Sequence, residues 1–426
     1  MTYFDHAATT PMRPGAIAAW AEAVRAVGNP SSLHADGRSA RKVVEESRET
    51  IAAYLGLASH DVLFTSGGTE ADNMAVMGIA RARREGDSGR VEVLLSPIEH
   101  HAVLEAAQSL VREGFSVLYM PMGDNGAVDG DAVAAYIREH AATLAVVSLM
   151  SANNETGVIQ PVHAVARASR EASVPFHSDM VPVGGLWPWF IGSGMYNASV
   201  AGATSSPTAE SLDYPDAMTF SAHKLGGPIG IGALALRRGT PITPTTFGGG
   251  QEYRLRSGTI PTPLVASFAA AVREVPASLT TEIARLESLH SRLETLLTSI
   301  GALIVGEAVS RVPTTTCALF PGCSAESLLM VLDQVGVSVS TGSACTAGVT
   351  QPSHVLMAIG YDEATARSAL RFSLGWTSTQ ADVDELARVL PDAVTQVSRM
   401  GKVVGLPPTT VALGQAAKAG GPSWPE

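Results

Sequence analysis

Short apolar runs alternate with amphipathic helical patterns along the first two-thirds of this chain. That alternation narrows the fold more than any other feature. Strands are expected at 91–95, 115–120, 144–149 and 174–177, and the clearest helices at 70–84, 101–113 and 162–171. Such a rhythm specifies an α/β fold, a mostly parallel sheet with helices on both faces, whose ligands gather at the carboxyl ends of the strands. At 426 residues the chain exceeds one simple core, so two closely packed domains are expected. Residues 16–260 form the larger. A smaller α+β domain takes residues 1–15 and 261–402, with helical patterns at 264–275 and 281–300, a strand at 316–320 and a helix at 325–335. Residues 403–426, rich in Pro, Gly, Ala and Thr, lack a helical period and are expected to form a mobile tail.

One stretch breaks the rhythm. Residues 186–216 form a long connection between two predicted strands, and connections of that length are functional covers or disordered insertions. A net charge of −11 argues against nucleic acid as a direct partner, because phosphate binding wants a basic face. The three cysteines, Cys317, Cys323 and Cys345, are too few for a disulfide framework, and no CxxC pair offers a thiolate metal site. The chain shows neither a signal-peptide pattern nor an apolar run able to span a bilayer, so no membrane partner and a cytoplasmic location are expected.

The densest chemical signal is Ser221-Ala222-His223-Lys224, after the apolar run Ala217-Met218-Thr219-Phe220 and before Leu225-Gly226-Gly227-Pro228. A lysine fixed between a strand and a glycine turn can lose solvation and with it some basicity, which suits Schiff-base chemistry; its ordinary alternative is a strand-end lysine in water. Gly67-Gly68-Thr69-Glu70 opens a helix after a strand, and its free N–H groups make a phosphate cradle or a plain turn. Asp179, closing His177-Ser178-Asp179, could cap a helix or hold a protonated pyridine nitrogen, as pyridoxal 5'-phosphate (PLP) requires. His100 and Asn154 stand at two further strand-to-helix junctions, His100 suited to stacking and proton transfer, Asn154 to hydrogen bonding a substrate.

Cys345 lies in Ser340-Thr341-Gly342-Ser343-Ala344-Cys345-Thr346-Ala347-Gly348, among small residues that leave a sulfur accessible, and is the candidate nucleophile. Arg371, in the strand-like Leu370-Arg371-Phe372-Ser373-Leu374, offers a fork for a carboxylate or for a surface ion pair. Arg256-Ser257-Gly258-Thr259 ends a glycine-rich linker able to reach a phosphate in its own or a partner subunit.

In this order, GGTEADN, EHHAV, NNETG, HSD, SAHK, RSGT, GSACTAG and LRFSLG resemble the cysteine desulfurases of the NifS/IscS type, from Tyr3 to about residue 400. The resemblance implies a fold-type I PLP-dependent transferase of the class V aminotransferase family, acting as a homodimer on L-cysteine. It gives Lys224 the cofactor's aldehyde and the substrate proton, Asp179 the pyridine nitrogen, and His100 a stacking and acid–base role. The cofactor's phosphate falls to Gly68, Thr69, Ser221 and His223, with Thr259 reaching in from the second subunit. Asn154 and Arg371 orient the substrate carboxylate. Cys345 takes the sulfur as a persulfide for an acceptor protein such as an iron–sulfur scaffold or a tRNA-thiolation enzyme.

Three departures from the family pattern stand together. Met180 replaces a small residue expected against the ring, Pro182 replaces a glutamine that donates to the ring oxygen, and the connection at 186–216 is long. They predict tuned or weakened PLP binding. Met180 and Pro182 also keep open a non-catalytic paralogue that binds a sulfur carrier; the other alternative is a related PLP lyase or aminotransferase-like activity on a different amino acid, such as selenocysteine.

Overall fold

A seven-stranded sheet runs through the centre of the molecule in the order Val62–Thr65, Gly232–Leu236, Ala217–Ser221, Phe176–Asp179, Leu144–Ser148, Glu92–Leu95, Ser116–Tyr119. Only Gly232–Leu236 runs against the others. This computed structural model describes residues 2–187, 190, 214–342, 345–346 and 349–404, without the side chains of 276–278, 345–346, 349–350 and 400–404.

The central strands are apolar at nearly every position because both faces are covered. Leu94 packs into the core on one side of the sheet, while Val93 and Leu95 pack into the core on the other, the two-residue alternation of a pleated strand. The flanking helices follow their sequence pattern closely. Val162–Glu171 has the expected bounds, and Gly68–Gly86 begins two residues before the expected 70.

The long helix differs from expectation. Two helical patterns separated near Pro276 form one continuous helix, Thr262–Ser299. A buried stripe (Val272, Val275, Leu279, Ile283, Leu286) keeps helical spacing across the proline, and the helix packs against Pro14–Ala23 and Ala35–Leu55. Burial along that stripe outweighs the hydrogen bond a proline forfeits.

A second, antiparallel sheet joins Ala369–Ser373, Thr315–Leu319 and Leu303–Ile304. Thr2–Tyr3 pairs in parallel with Val337–Ser338, and Asp5 bridges to Ser373. The start of the chain therefore lies against residues more than three hundred positions later. The helix Gln380–Val404 runs into the first two residues of the expected tail; the rest of that tail, like most of 186–216, lies outside the described residues. Among the described residues, no helix is long and apolar enough to cross a membrane.

Candidate active site

Every parallel strand of the central sheet except Ser116–Tyr119 delivers a polar group to one cavity of about 500 Å³ at its carboxyl edge. Val62–Thr65 leads to Gly68 and Thr69, Glu92–Leu95 to His100, Leu144–Ser148 to Asn154, and Phe176–Asp179 ends on Asp179 itself. Ala217–Ser221 ends on Ser221 and leads through a single 3-10 turn to His223 and Lys224. Arg371 enters from the second sheet.

Lys224 is anchored. Its Nζ donates to the carbonyl oxygens of Ala7 and Ala8, the latter at 2.8 Å, so the start of the chain closes the cavity over it. Burial first, and then the Arg371 guanidinium, lower its pKa to about 8. His100 caps the helix His101–Val111, with Nδ1 accepting from the Ala102 N–H at 3.2 Å. Burial, and then Lys224, bring its pKa down to about 4, so the ring is neutral near pH 7. Burial does the same to His223, whose Nδ1 lies 3.2 Å from Thr9 Oγ1.

Asp179 is buried and accepts from the Val181 N–H at 2.8 Å. Burial and the neighbouring Asp72 raise its pKa to about 8. Arg371 donates from Nη1 to the Asn154 carbonyl at 3.2 Å and from Nη2 to Asp5 at 2.8 Å, while its buried Nε has no partner among the described residues.

Of the residues singled out from motifs, Gly68, Thr69, His100, Asn154, Asp179, Ser221, His223, Lys224 and Arg371 all line this cavity. Thr259 does not; it is exposed on its own chain. Cys345 opens a short hairpin in which Cys345–Thr346 pairs with Val349–Thr350, and its side chain lies outside the described residues.

Met180 requires a correction. Its side chain is fully buried in the main core and does not line the cavity; Val181 and Pro182 do. The strand stops at Asp179, and the chain turns through Met180 into a short 3-10 helix, Val181–Leu186, which leaves Met180 in the core and brings Val181 and Pro182 to the cavity. A Cβ on Gly68 would lie 3.1 Å from Val181 Cγ2, so the narrow wall here is Val181 against a glycine.

Several cavity residues escaped the sequence reading. Asp72 is buried on the sheet-facing side of Gly68–Gly86, 3.5 Å from His177 Nε2, and burial raises its pKa to about 8. A charged residue among Ala71, Met74 and Ala75 was the available signal. Behind the cavity wall, Glu99 is buried beside His100 without lining the cavity; its Oε1 accepts from the Met150 N–H at 2.8 Å, and burial holds its pKa well above the usual carboxylate range. Glu155, His6 and His354 also face the cavity. Burial raises Glu155 to about 7 against the opposing pull of the Ser353 hydroxyl and Arg371.

The Aminotransferase class-V family matches residues 2–183 and 212–386, leaving out the stretch after Val183. An IscS-like cysteine desulfurase of Mycobacterium tuberculosis is 44% identical over 404 residues, covering 94% of this chain and 98% of the relative. The chain belongs to the cysteine desulfurases of the class-V aminotransferase family. A solved NifS-like protein superposes with a TM-score of 0.78 at 31% identity, covering 93% of this chain and 99% of that one. The structure described as SspA in complex with cysteine gives 0.70 at 30%, covering 88% and 99%.

Cysteine desulfurases are PLP-dependent, and the donor set here fits that cofactor. Gly68 and Thr69 open a long helix at the cavity wall, with Ser221 and His223 also lining the cavity, a suitable setting for a phosphate. Asp179 is a buried carboxyl whose raised pKa would fall beside a cation such as a pyridinium. Lys224 has the lowered basicity that an aldehyde-capturing amine needs.

Proposed function

We propose that this enzyme removes sulfur from L-cysteine, releases L-alanine and holds the sulfur as a persulfide on Cys345. The carrying observation is the convergence of Lys224, Asp179 and Arg371 on one cavity. The cysteine named with the solved SspA structure supports the choice of substrate.

Bound at Lys224, PLP would supply an electron sink for the carbanion at the substrate's Cα. Asp179 would hold the proton on the ring nitrogen, His100 would stack on the ring, and Gly68, Thr69, Ser221 and His223 would bind the phosphate. Arg371 and Asn154 hold the substrate carboxylate and so fix which Cα bond faces Lys224. Lys224, as a neutral amine, takes the Cα proton, and the neutral His100 can accept a proton from a thiol. The Cys345 thiolate forms an S–S bond to the substrate sulfur as that sulfur's bond to Cβ breaks. The bonding pair stays with Cβ, which takes up a proton equal to the one Cys345 gave up. Each sulfur is oxidised by one electron and Cβ is reduced by two, so no outside oxidant is required.

The persulfide would pass to an acceptor protein of the iron–sulfur scaffold or tRNA-thiolation kind. A second copy of the chain would bring Thr259 to the phosphate. Exposed apolar side chains on the same strap, Phe247 at 81% and Tyr253 at 54%, favour such a homodimer. A cytoplasmic setting accords with the free Cys317 and Cys323.

The test is the visible spectrum of the purified enzyme with and without L-cysteine, followed by mass analysis of the Cys345 peptide. A band that shifts, with one added sulfur on wild type and none on Cys345→Ala, is expected. A band indifferent to cysteine sinks the reading.

A further inference from the structure

Glu155 sits between the substrate-carboxylate residues and the segment that carries Cys345. Its backbone is fixed by Asn153, whose Oδ1 accepts from the Glu155 N–H and the Thr156 N–H, both at 2.9 Å, and whose Nδ2 donates to the Ile98 carbonyl at 3.0 Å. The preceding carbonyl, that of Asn154, accepts from Arg371. Side chain and backbone thus leave the turn little freedom.

The carboxyl group of Glu155 is buried and meets both stems of the Cys345 segment. On the outgoing side, Ser353 Oγ donates to Glu155 Oε2 at 2.5 Å. The same hydroxyl accepts from the Leu356 N–H at 3.1 Å and caps the helix His354–Ala358, so the bond holds the whole helix start. On the incoming side, the backbone of Gly342 passes so close that a Cβ there would be 3.2 Å from the same Oε2. Gly342 has φ +77°, and its N–H donates to Ser340 Oγ at 3.1 Å. Ser340 in turn exchanges backbone hydrogen bonds with Arg371 at 2.7 and 3.2 Å. One buried carboxyl therefore bonds to the chain eight residues after Cys345 and lies close against it three residues before.

We propose that Glu155 is a positioning residue that clamps both stems of the Cys345 segment to the Asn154–Arg371 pair, setting where the thiol stands relative to bound substrate. The proposal rests on Cys345 being the sulfur acceptor. Glu155 acts through the stems, so its loss slows sulfur transfer while substrate still binds. A hydrogen bond to a buried carboxyl is worth enough that removing it, with its partner left unsatisfied, slows the positioned step about tenfold or more.

The experiment uses the PLP-loaded enzyme, with spectral titration for L-cysteine binding and single-turnover mass analysis for sulfur on Cys345. Glu155→Ala is expected to slow persulfide formation about tenfold or more while the cysteine dissociation constant changes less than about threefold. Glu155→Gln, which keeps an acceptor for Ser353, recovers most of the rate. Ser353→Ala reproduces the defect, and combining it with Glu155→Ala adds little, because both remove one bond. Unchanged persulfide formation in Glu155→Ala, a binding loss as large as the rate loss, or additive single effects would each overturn the clamp. Wild-type enzyme that never carries sulfur on Cys345 overturns the assignment of that thiol, and the clamp with it.

Discussion

Arg371 reaches Asp5 across 366 residues of sequence, with Nη2 2.8 Å from Oδ1 and the arginine side chain only 7% exposed. With Nη1 on the Asn154 carbonyl, the fork is held by its two outer nitrogens, and the buried Nε has no partner among the described residues. Arg371→Lys cannot keep that geometry. Its KM for L-cysteine should rise about tenfold to a hundredfold, with a smaller change in kcat. Asp5→Asn keeps a hydrogen-bond acceptor without the charge and should raise KM about three- to tenfold. Steady-state kinetics decide the matter, and a kcat loss with normal KM in both variants would assign the pair to another step.

Met180 and Pro182 separate stability from cofactor affinity. Met180 is buried in the core, so Met180→Ala should cost about 2–5 kcal/mol in denaturant unfolding and leave the PLP dissociation constant unchanged. Pro182 faces the cavity without a side-chain donor. Pro182→Gln should tighten PLP about fivefold, the worth of one added hydrogen bond. Fluorescence titration of the apo-protein tests both. Weaker PLP binding in Met180→Ala would return that side chain to the ring.

The Lys224 amine, lowered to about 8, predicts how fast apo-protein captures PLP. Below that pH the folded protein holds the ammonium, and the reactive fraction grows about tenfold per unit as pH rises. Capture, trapped by borohydride and read as added mass, should climb from pH 6 to about 8 and then level off. Lys224→Ala should trap nothing. A rate still climbing at pH 10 would mean an ordinary exposed lysine.

The buried Asp72 gives a stability signature in the apo-protein. Its pKa is raised from 3.8 to about 8 in the fold, chiefly by burial, so between those values the native state binds more protons than the unfolded chain. Stability contributed by this group therefore falls as pH rises through that window. Asp72→Asn should unfold like wild type near pH 4 and be more stable at pH 8 by roughly 2 kcal/mol or more. Equal stability at both pH values would show that the carboxyl is compensated by His177, 3.5 Å away.

Residues announced by strand-end motifs were legible because the chemistry and the local structure coincide. Gly68, His100, Asn154 and Asp179 follow apolar runs that can only be strands, and the carboxyl ends of parallel strands share one edge. Side-chain direction was less legible. Whether Met180 or Val181 faces the cavity depends on the last strand residue, a boundary that sequence pattern locates loosely. Pro276 hid a continuous helix, because a proline reads as a break unless the buried stripe on both sides is seen to keep one phase. Asp5 and Glu155 act through partners hundreds of residues away, which no local window contains.

The carbonyls of Ala7 and Ala8 that hold Lys224, and the carboxylate of Asp5 on Arg371, leave the ribosome more than two hundred residues ahead of the side chains they meet. Their seats, Val337–Ser338 and Ser373, follow more than three hundred residues later. The large sheet can form its strand ends while synthesis continues, yet the pocket stays open on one side until those seats have emerged. A nascent chain thus has its lysine long before it has its roof, and competence to retain a small molecule arrives late, with the return of the leading segment.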